Sequence, residues 1–265
     1  MEAKGVHKAT KKDGTVYYRS SITYRGKHIS LGSKPTLNQA AKLYKQASDI
    51  LNSDKKVEYY IGKKNALSFD KIVVLINFRD SRIYIKNPIL LYRNYFLYYL
   101  DENTPLIFDT DDLFYYSEHK IQKKGGYLFV SDYGMQINIL SRYGIKNYSV
   151  EGKDYIHANQ NPLDYTYDNI EVINPYYGVY RVMHKKKPVY KTRLHLNGNY
   201  LVGYYKTAEQ AAIAYNKAVD SVTKSGCIKE FQTNYIVGMS ASEYSDIYSK
   251  IELPDKILNY SPEPS

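Results

Sequence analysis

The sequence predicts an α+β protein: two small domains, each a three-stranded sheet with one helix, set around a central α+β segment. Three observations carry that expectation. The two ends of the chain repeat one order of turns, strands and helix. Within each end, a stretch alternating with period two gives way to a helical stripe. The net charge of +10 is concentrated in those ends. A length of 265 residues suits one to two domains with a further small module.

The first end reads GVHKATKKDGTVYYRSSITYRGKHISLGSKPTLNQAAKLYKQA from Gly5. Tyr18, Ser20, Ile22 and Tyr24 alternate with Arg19, Ser21, Thr23 and Arg25, as in a half-buried strand. Arg25-Gly26 is a hairpin turn, and a short strand ends at Gly32. Thr36-x-x-Gln39 opens a helix as a capping box. Leu37, Ala40, Ala41, Tyr44, Ala47 and Leu51 then form one stripe.

The second end reads GVYRVMHKKKPVYKTRLHLNGNYLVGYYKTAEQAAIAYNKA from Gly178. Tyr190, Thr192, Leu194 and Leu196 alternate with Lys191, Arg193, His195 and Asn197. Asn197-Gly198 is the stronger hairpin signal of the two turns. Thr207-x-x-Gln210 opens the helix, and Ala211, Ala212, Tyr215, Ala218 and Val219 form its stripe. Gly32 precedes Ala40 by eight residues, as Gly203 precedes Ala211. The small alanines let each helix lie close to its sheet, which leaves the other sheet face open and basic.

Five segments follow: 1–53, a connector over 54–90, a central domain over 91–174, the second repeat over 175–236, and a C-terminal helix and tail over 237–265. Ile72–Ile76 reads as buried, in a strand, helix or second strand. In FDTDDLFYYS, Asp109, Asp111 and Asp112 read as a helix cap with early acids, against a metal cluster. Lys123–Gly126 is a turn before the strand YLFVSD, and YGMQINILSRYG is a helix ending near Gly144. Ser240-x-x-Glu243 caps a last helix with Tyr244, Ile247 and Tyr248 on one face, and the tail LNYSPEPS is expected to fray.

Composition narrows the function. A single cysteine, Cys227, gives no disulfide framework and no thiolate cluster for zinc, and reads as a small hydrophobe. The six histidines include no HExxH pair. The chain start lacks an apolar signal region, and no stretch approaches 18 uncharged apolar residues. The expectation is a cytoplasmic, nucleoid-associated protein with no membrane partner. Residues 1–65 hold 14 basic and 5 acidic side chains, residues 66–174 hold 11 and 14, and residues 175–265 hold 12 and 8. Two basic ends around an acidic middle suit two grips on one polyanion, with a solvated lysine-rich surface as the alternative. A major groove accepts a β-ribbon as well as a helix. Arg19, Arg25, Lys27, Lys191 and Arg193 are candidates for phosphates or guanine edges, with Ser21, Thr23 and His195 as shorter polar groups. Tyrosine is one residue in eight, and each buried hydroxyl needs a partner.

With these residues in view, both ends resemble the APETALA2 (ethylene-response-factor) DNA-binding domain in its bacterial and phage form, over roughly 90 residues. The resemblance implies a sheet lying in the major groove of double-stranded DNA. Its contacts fall on His7, Ala9, Ser21 and Thr23 in the first repeat, and on Tyr180, Val182, Arg193 and His195 in the second. Lys8 and Arg181 join them as DNA-binding candidates. Ala9 and Val182 stand where Arg is usual, and Tyr18 and Tyr190 replace the core Trp, so the target is not inherited.

The stretch KDYIHANQNPLDYTYDNIEVINPYYGVYRV resembles the HNH (ββα-metal) homing-endonuclease module, which often precedes an APETALA2-type domain in phage and bacterial nucleases. That makes the central domain HNH-like. The resemblance implies His157 as general base and Asn169 as the supporting asparagine, around one magnesium or manganese ion. Its ligand positions fall on Ile156 and near Gly178, and its Asp-Asn-Arg becomes Asp164-Tyr165-Thr166. Isoleucine and glycine side chains offer a hard cation nothing. Asp154 and Asn174 are the substitutes, though Asp154 points to the opposite strand face from His157. The expectation is therefore a degenerate, non-catalytic scaffold without a metal or cofactor. It would serve a sequence-specific regulator or DNA-organising factor. A metal-dependent endonuclease and a protein-interaction scaffold stay open as alternatives, and so does the oligomeric state, one chain being able to read two half-sites.

Overall fold

The computed structural model describes residues 3–147 and 149–262. It is a mixed α+β structure of small three-stranded antiparallel sheets and helices. Among the described residues no helix is long and apolar enough to cross a membrane. The last three residues of the tail lie outside the described ones.

The chain divides into two compact units, residues 1–139 with 157–170, and residues 140–156 with 171–265. In the first unit, β1 (Val6–Thr10), β2 (Val16–Tyr24) and β3 (Lys27–Lys34) form one sheet. Helix α1 (Leu37–Leu51) buries Ala40, Leu43 and Ala47. Residues 54–90 follow α1. They carry α2 (Phe69–Ser81), in which Ile72 through Phe78 are all buried, and they share one core with Ile22, Ile29, Leu31 and Leu43. A helix apolar all round belongs inside a core. Its one buried amide, Asn77, donates to the Ile83 carbonyl at 3.0 Å and accepts from the Leu91 N–H at 3.0 Å.

Two further sheets complete this unit. One is β4 (Ile89–Leu91), β5 (Tyr95–Tyr99) and β6 (Pro105–Asp109), after which α3 (Leu113–Glu118) follows. The other is β7 (Ile121–Lys124), β8 (Tyr127–Asp132) and β9 (Met135–Asn138). The turn at Lys123–Gly126 is present, with Gly125 and Gly126 at positive φ. The helix expected over YGMQINILSRYG is instead strand β9 followed by a 3-10 turn over Ile139–Tyr143. Tyr133 (φ 46) and Gly134 (φ 78) close a tight hairpin, which pairs Asp132 with Met135 and extends the chain. The expected Asp109 cap makes no side-chain capping bond. Two short strands, β10 (Tyr155–His157) and β11 (Ile170–Val172), form a two-stranded sheet.

In the second unit, β12 (Val179–His184), β13 (Lys187–His195) and β14 (Asn199–Tyr205) form a sheet covered by α4 (Ala208–Lys224). Helix α5 (Ala241–Lys250) has the predicted capping box at Ser240 and Glu243. Tyr244, Ile247 and Tyr248 pack on the core with α6 (Asp255–Leu258), and Cys227 joins the core's edge.

The two repeats share details that no composition forces. Val6 pairs with Ser20 and Ser20 with Gly32; Val179 pairs with Thr192 and Thr192 with Gly203. Both registers slip at the next residue, between Ser20 and Ser21 and between Thr192 and Arg193. Such a bulge re-aims the side chains that follow it. Gly5 (φ 69) and Gly178 (φ 68) each accept from the residue after the slip, Ser21 N–H at 2.9 Å and Arg193 N–H at 2.8 Å. Thr36 and Thr207 accept from the Gln39 and Gln210 N–H groups. One difference lies at the second turn. Arg25 (φ 47) and Gly26 (φ 76) close a two-residue hairpin. Asn197-Gly198 does not, because Leu196 turns into the core and its N–H donates to the Gly198 carbonyl.

Candidate nucleic-acid interface

Each helix covers one sheet face and leaves the other open. In the first repeat, pleating turns Tyr17, Arg19, Ser21 and Thr23 away from α1, because Ser20 and Ile22 point into the core. His7 sits opposite Arg19, Ala9 opposite Tyr17, Ser30 opposite Ser21, and His28 opposite Thr23. Thr23 Oγ1 and His28 Nδ1 meet across the strands at 3.4 Å. Arg19 is laid along its own strand. It donates to the Tyr17 hydroxyl from Nη2 at 2.6 Å and from Nε at 3.1 Å, with its guanidinium 5.4 Å from the Tyr17 ring centre.

In the second repeat the open face is more aromatic. Tyr180 and Tyr204 flank Lys191 on the neighbouring strands, and Leu201 lies opposite Arg193. The Arg193 guanidinium rests 5.1 Å from the Tyr180 ring centre, and Lys153 Nζ lies 4.4 Å from the same ring. Arg193 Nε is buried with no hydrogen-bond partner. Lys191 Nζ lies 5.8 Å from the Tyr204 ring, on which His184 stacks at 4.2 Å. Val182 pairs with Val189, and His195 is exposed while its carbonyl accepts from Lys229 Nζ.

Among the described residues, no carboxylate pairs with Arg19, Lys191 or Arg193. Tyrosine rings hold them instead. A ring steadies a cation by about 0.5–2 kcal/mol without cancelling its charge. The planar guanidinium is thus pre-oriented with its charge uncompensated.

Three candidates fall on the other side. Lys8 pairs with Tyr18, Arg181 with Tyr190, and Lys27 with Tyr24, all partners on the helix side. Lys27 Nζ lies 4.9 Å from the Tyr84 ring. Arg25 occupies the turn, with its guanidinium 5.3 Å from the Tyr24 ring. One step along a strand reverses the face, so neighbours of a reading residue point away from it. The open faces add Tyr17, His28 and Tyr204, which the i, i+2 spacing and the pairing register would have supplied. Lys153 is remote in sequence and carries no such signal.

The loop from His157 to Asn169 belongs to the first unit. Asn169 fastens it: its carbonyl accepts from Ala158 N–H and its Oδ1 from Asn159 N–H, both at 2.8 Å, while Nδ2 donates to the Asp164 carbonyl at 2.8 Å. Asp164 takes Asn159 Nδ2 at 2.7 Å and the Thr166 hydroxyl at 2.7 Å. His157 is buried, edge-on to Tyr165 at 5.5 Å. The acidic cluster is also engaged. Asp109 accepts from the Tyr167 N–H at 2.7 Å and Asp112 from the Tyr167 hydroxyl at 3.3 Å.

The substitute ligands belong to the second unit and are committed elsewhere. Asp154 accepts from Lys146 Nζ at 2.7 Å, from Asn174 Nδ2 at 2.9 Å and from the Val150 N–H at 2.9 Å. Asn174 Nδ2 also donates to the Val179 carbonyl. Burial pushes the Asp154 carboxyl up, but the hydrogen bonds from Lys146 and Val150 outweigh it and hold it below the usual carboxylate value. Burial likewise pulls the Lys146 ammonium down against the attraction of Asp154. At a contact of 2.7 Å the lowered carboxyl is the direction that counts. Gly178, the other ligand position, is a packing glycine beneath Tyr215. The residues at these positions do not fit a hard cation. Among the described residues no three His, Cys, Asp or Glu side chains are grouped as a metal would require.

Comparison of the chain with protein-family models, with curated proteins and with solved structures gave no match.

Proposed function

We propose that the chain is a non-catalytic, sequence-specific double-stranded DNA-binding protein that presents two basic sheet faces to the major groove. It would act as a regulator or DNA-organising factor, associated with the nucleoid. One observation carries the reading. Arg19, Lys191 and Arg193 on the open faces are braced by tyrosine and, among the described residues, lack a carboxylate partner. That arrangement suits phosphates and guanine edges, which supply the missing acceptors. Two readers on one chain raise the effective affinity when both engage. APETALA2-like sheets around an HNH-like scaffold fit the shared bulge, the shared packing glycine and the loop fastened by Asn169.

Arg193 is the strongest base-reading candidate. Arg193→Ala should weaken the preferred duplex by about 1–3 kcal/mol, or roughly five- to 150-fold, and relax the preference at one base pair. Lys191→Ala should weaken all sequences evenly and reduce the salt slope by about one. Fluorescence anisotropy with preferred and scrambled duplexes separates the two effects. Unchanged affinity and preference in Arg193→Ala would remove the second sheet as a reader.

The scaffold is proposed as inactive because Asp154 and Asn174 are hydrogen-bonded within their own unit. Supercoiled plasmid incubated with the protein and magnesium or manganese should stay intact, and His157→Ala should bind DNA like the parent. Nicking by the parent that disappears in His157→Ala would restore the endonuclease reading.

A further inference from the structure

The tip of the β4–β5 hairpin is unlike the sheet faces. Its residues are Tyr92, Arg93, Asn94 and Tyr95, and the Tyr92 N–H donates to the Tyr95 carbonyl at 3.0 Å to close the turn. The Tyr92 and Tyr95 rings stack nearly parallel, with centroids 4.7 Å apart and planes 9° from one another. Both stand in solvent, 42% and 37% exposed. Arg93 lies between them in sequence, exposed, and among the described residues it has no partner.

The neighbouring surface carries charges of both signs. Tyr92 lines one cleft with Lys56, Val57 and Glu58. Beside that cleft in sequence, the exposed ring of Tyr59 draws in two ammonium groups, Lys63 Nζ at 3.1 Å and Lys55 Nζ at 4.2 Å from its centre. Asp80, which also lines the cleft, is already held by Arg79 at 2.6 Å and Lys56 at 3.4 Å. Glu58 remains an acceptor in the same cleft.

We propose that the hairpin tip is a binding site for an unpaired nucleobase, stacked on the Tyr92–Tyr95 pair, with a flanking phosphate held by Arg93. The rings are already ordered against each other, so a third flat ring adds contact at little further entropic cost. Base–aromatic stacking is worth about 1–3 kcal/mol per base. A paired base hides its faces inside the helical stack, so only a single strand or an extruded base fits. A convex, exposed aromatic turn that carries an exposed arginine suits a flat, anionic polymer better than an apolar protein surface. This site does not depend on the sheet faces reading duplex DNA.

The test uses the full chain and a short single-stranded oligonucleotide carrying one fluorescent adenine analogue, at low salt. The protein should quench the analogue saturably as the base stacks. Tyr95→Leu should weaken binding about tenfold, Tyr95→Phe should keep it, and Arg93→Ala should weaken it with a shallower salt slope. Arg193→Ala should leave single-strand binding untouched while reducing duplex binding, so failure of one site is distinct from failure of the other. Absent saturable quenching, or parental affinity in a folded Tyr95→Leu protein, would overturn the proposal.

Discussion

Replacing Gly178 by alanine should strongly destabilise the second repeat. A Cβ there would sit 2.2 Å from Tyr215 Cδ2 and 2.5 Å from the Arg193 carbonyl oxygen, at a φ of +68. Neither neighbour can yield cheaply. The carbonyl is backbone at the bulge, and the Tyr215 ring is buried between sheet and helix, its hydroxyl pushed up to about 12 by that burial. The left-handed backbone costs an alanine about 1–2 kcal/mol, and overpacking adds about 1–3. The sum is a large share of a typical stability of about 5–15 kcal/mol. Gly5→Ala should do the same to the first repeat, where the Cβ would meet Tyr44 at 2.1 Å and the Ser21 carbonyl at 2.5 Å. Gly152→Ala is the control. It shares a positive φ, but nothing lies within 4 Å, so only the backbone term applies. Urea midpoints followed by circular dichroism should order Gly178→Ala well below Gly152→Ala. Equal midpoints would mean that Tyr215 does not cover the glycine.

The Lys146–Asp154 pair should be the second most sensitive point. Its side chains are only 9% and 5% exposed. Breaking a buried pair by removing one partner costs about 3–5 kcal/mol, because the other charge is left behind. Lys146→Ala should show that loss. The Asp154 carboxyl lies below its ordinary value in the folded chain. Its contribution is therefore fully present above the unfolded carboxyl value, about 3.9, and is lost as pH falls through the lowered folded value. Denaturant midpoints taken from neutral to acid should fall in the parent and fall less in Asp154→Asn. A Lys146→Ala protein within about 0.5 kcal/mol of the parent would show that the pair is not buried as described.

The legible parts of the sequence were those written in local terms. Gly-Val, the Thr caps and Ala-Ala-x-x-Tyr lie within one repeat and recur in the other, so their agreement needed no tertiary information. Ile72–Ile76 was legible as buried but not as helix, since an apolar run surrounded on all sides has no period to read. Met135–Asn138 is a strand where the local pattern suggests a helix, because the Tyr133-Gly134 turn decides whether YGMQIN extends or coils. Lys8, Lys27 and Arg181 read as DNA-binding candidates from sequence, and the register assigns them to the helix side. In the stretch around His157, the fact that Ile156 and Gly178 offer no metal-ligand side chain was visible in the sequence. The partners that occupy Asp154 were not, because Lys146 and Asn174 reach it only after folding.

Selection from a pool of random duplex DNA, followed by binding of the winners across a salt series, tests the central claim most directly. The expected result is an enriched sequence with a guanine that depends on Arg193, and an affinity that falls steeply as salt rises. Selection that enriches nothing, together with no duplex binding at low salt, would contradict it and favour a protein-interaction scaffold instead.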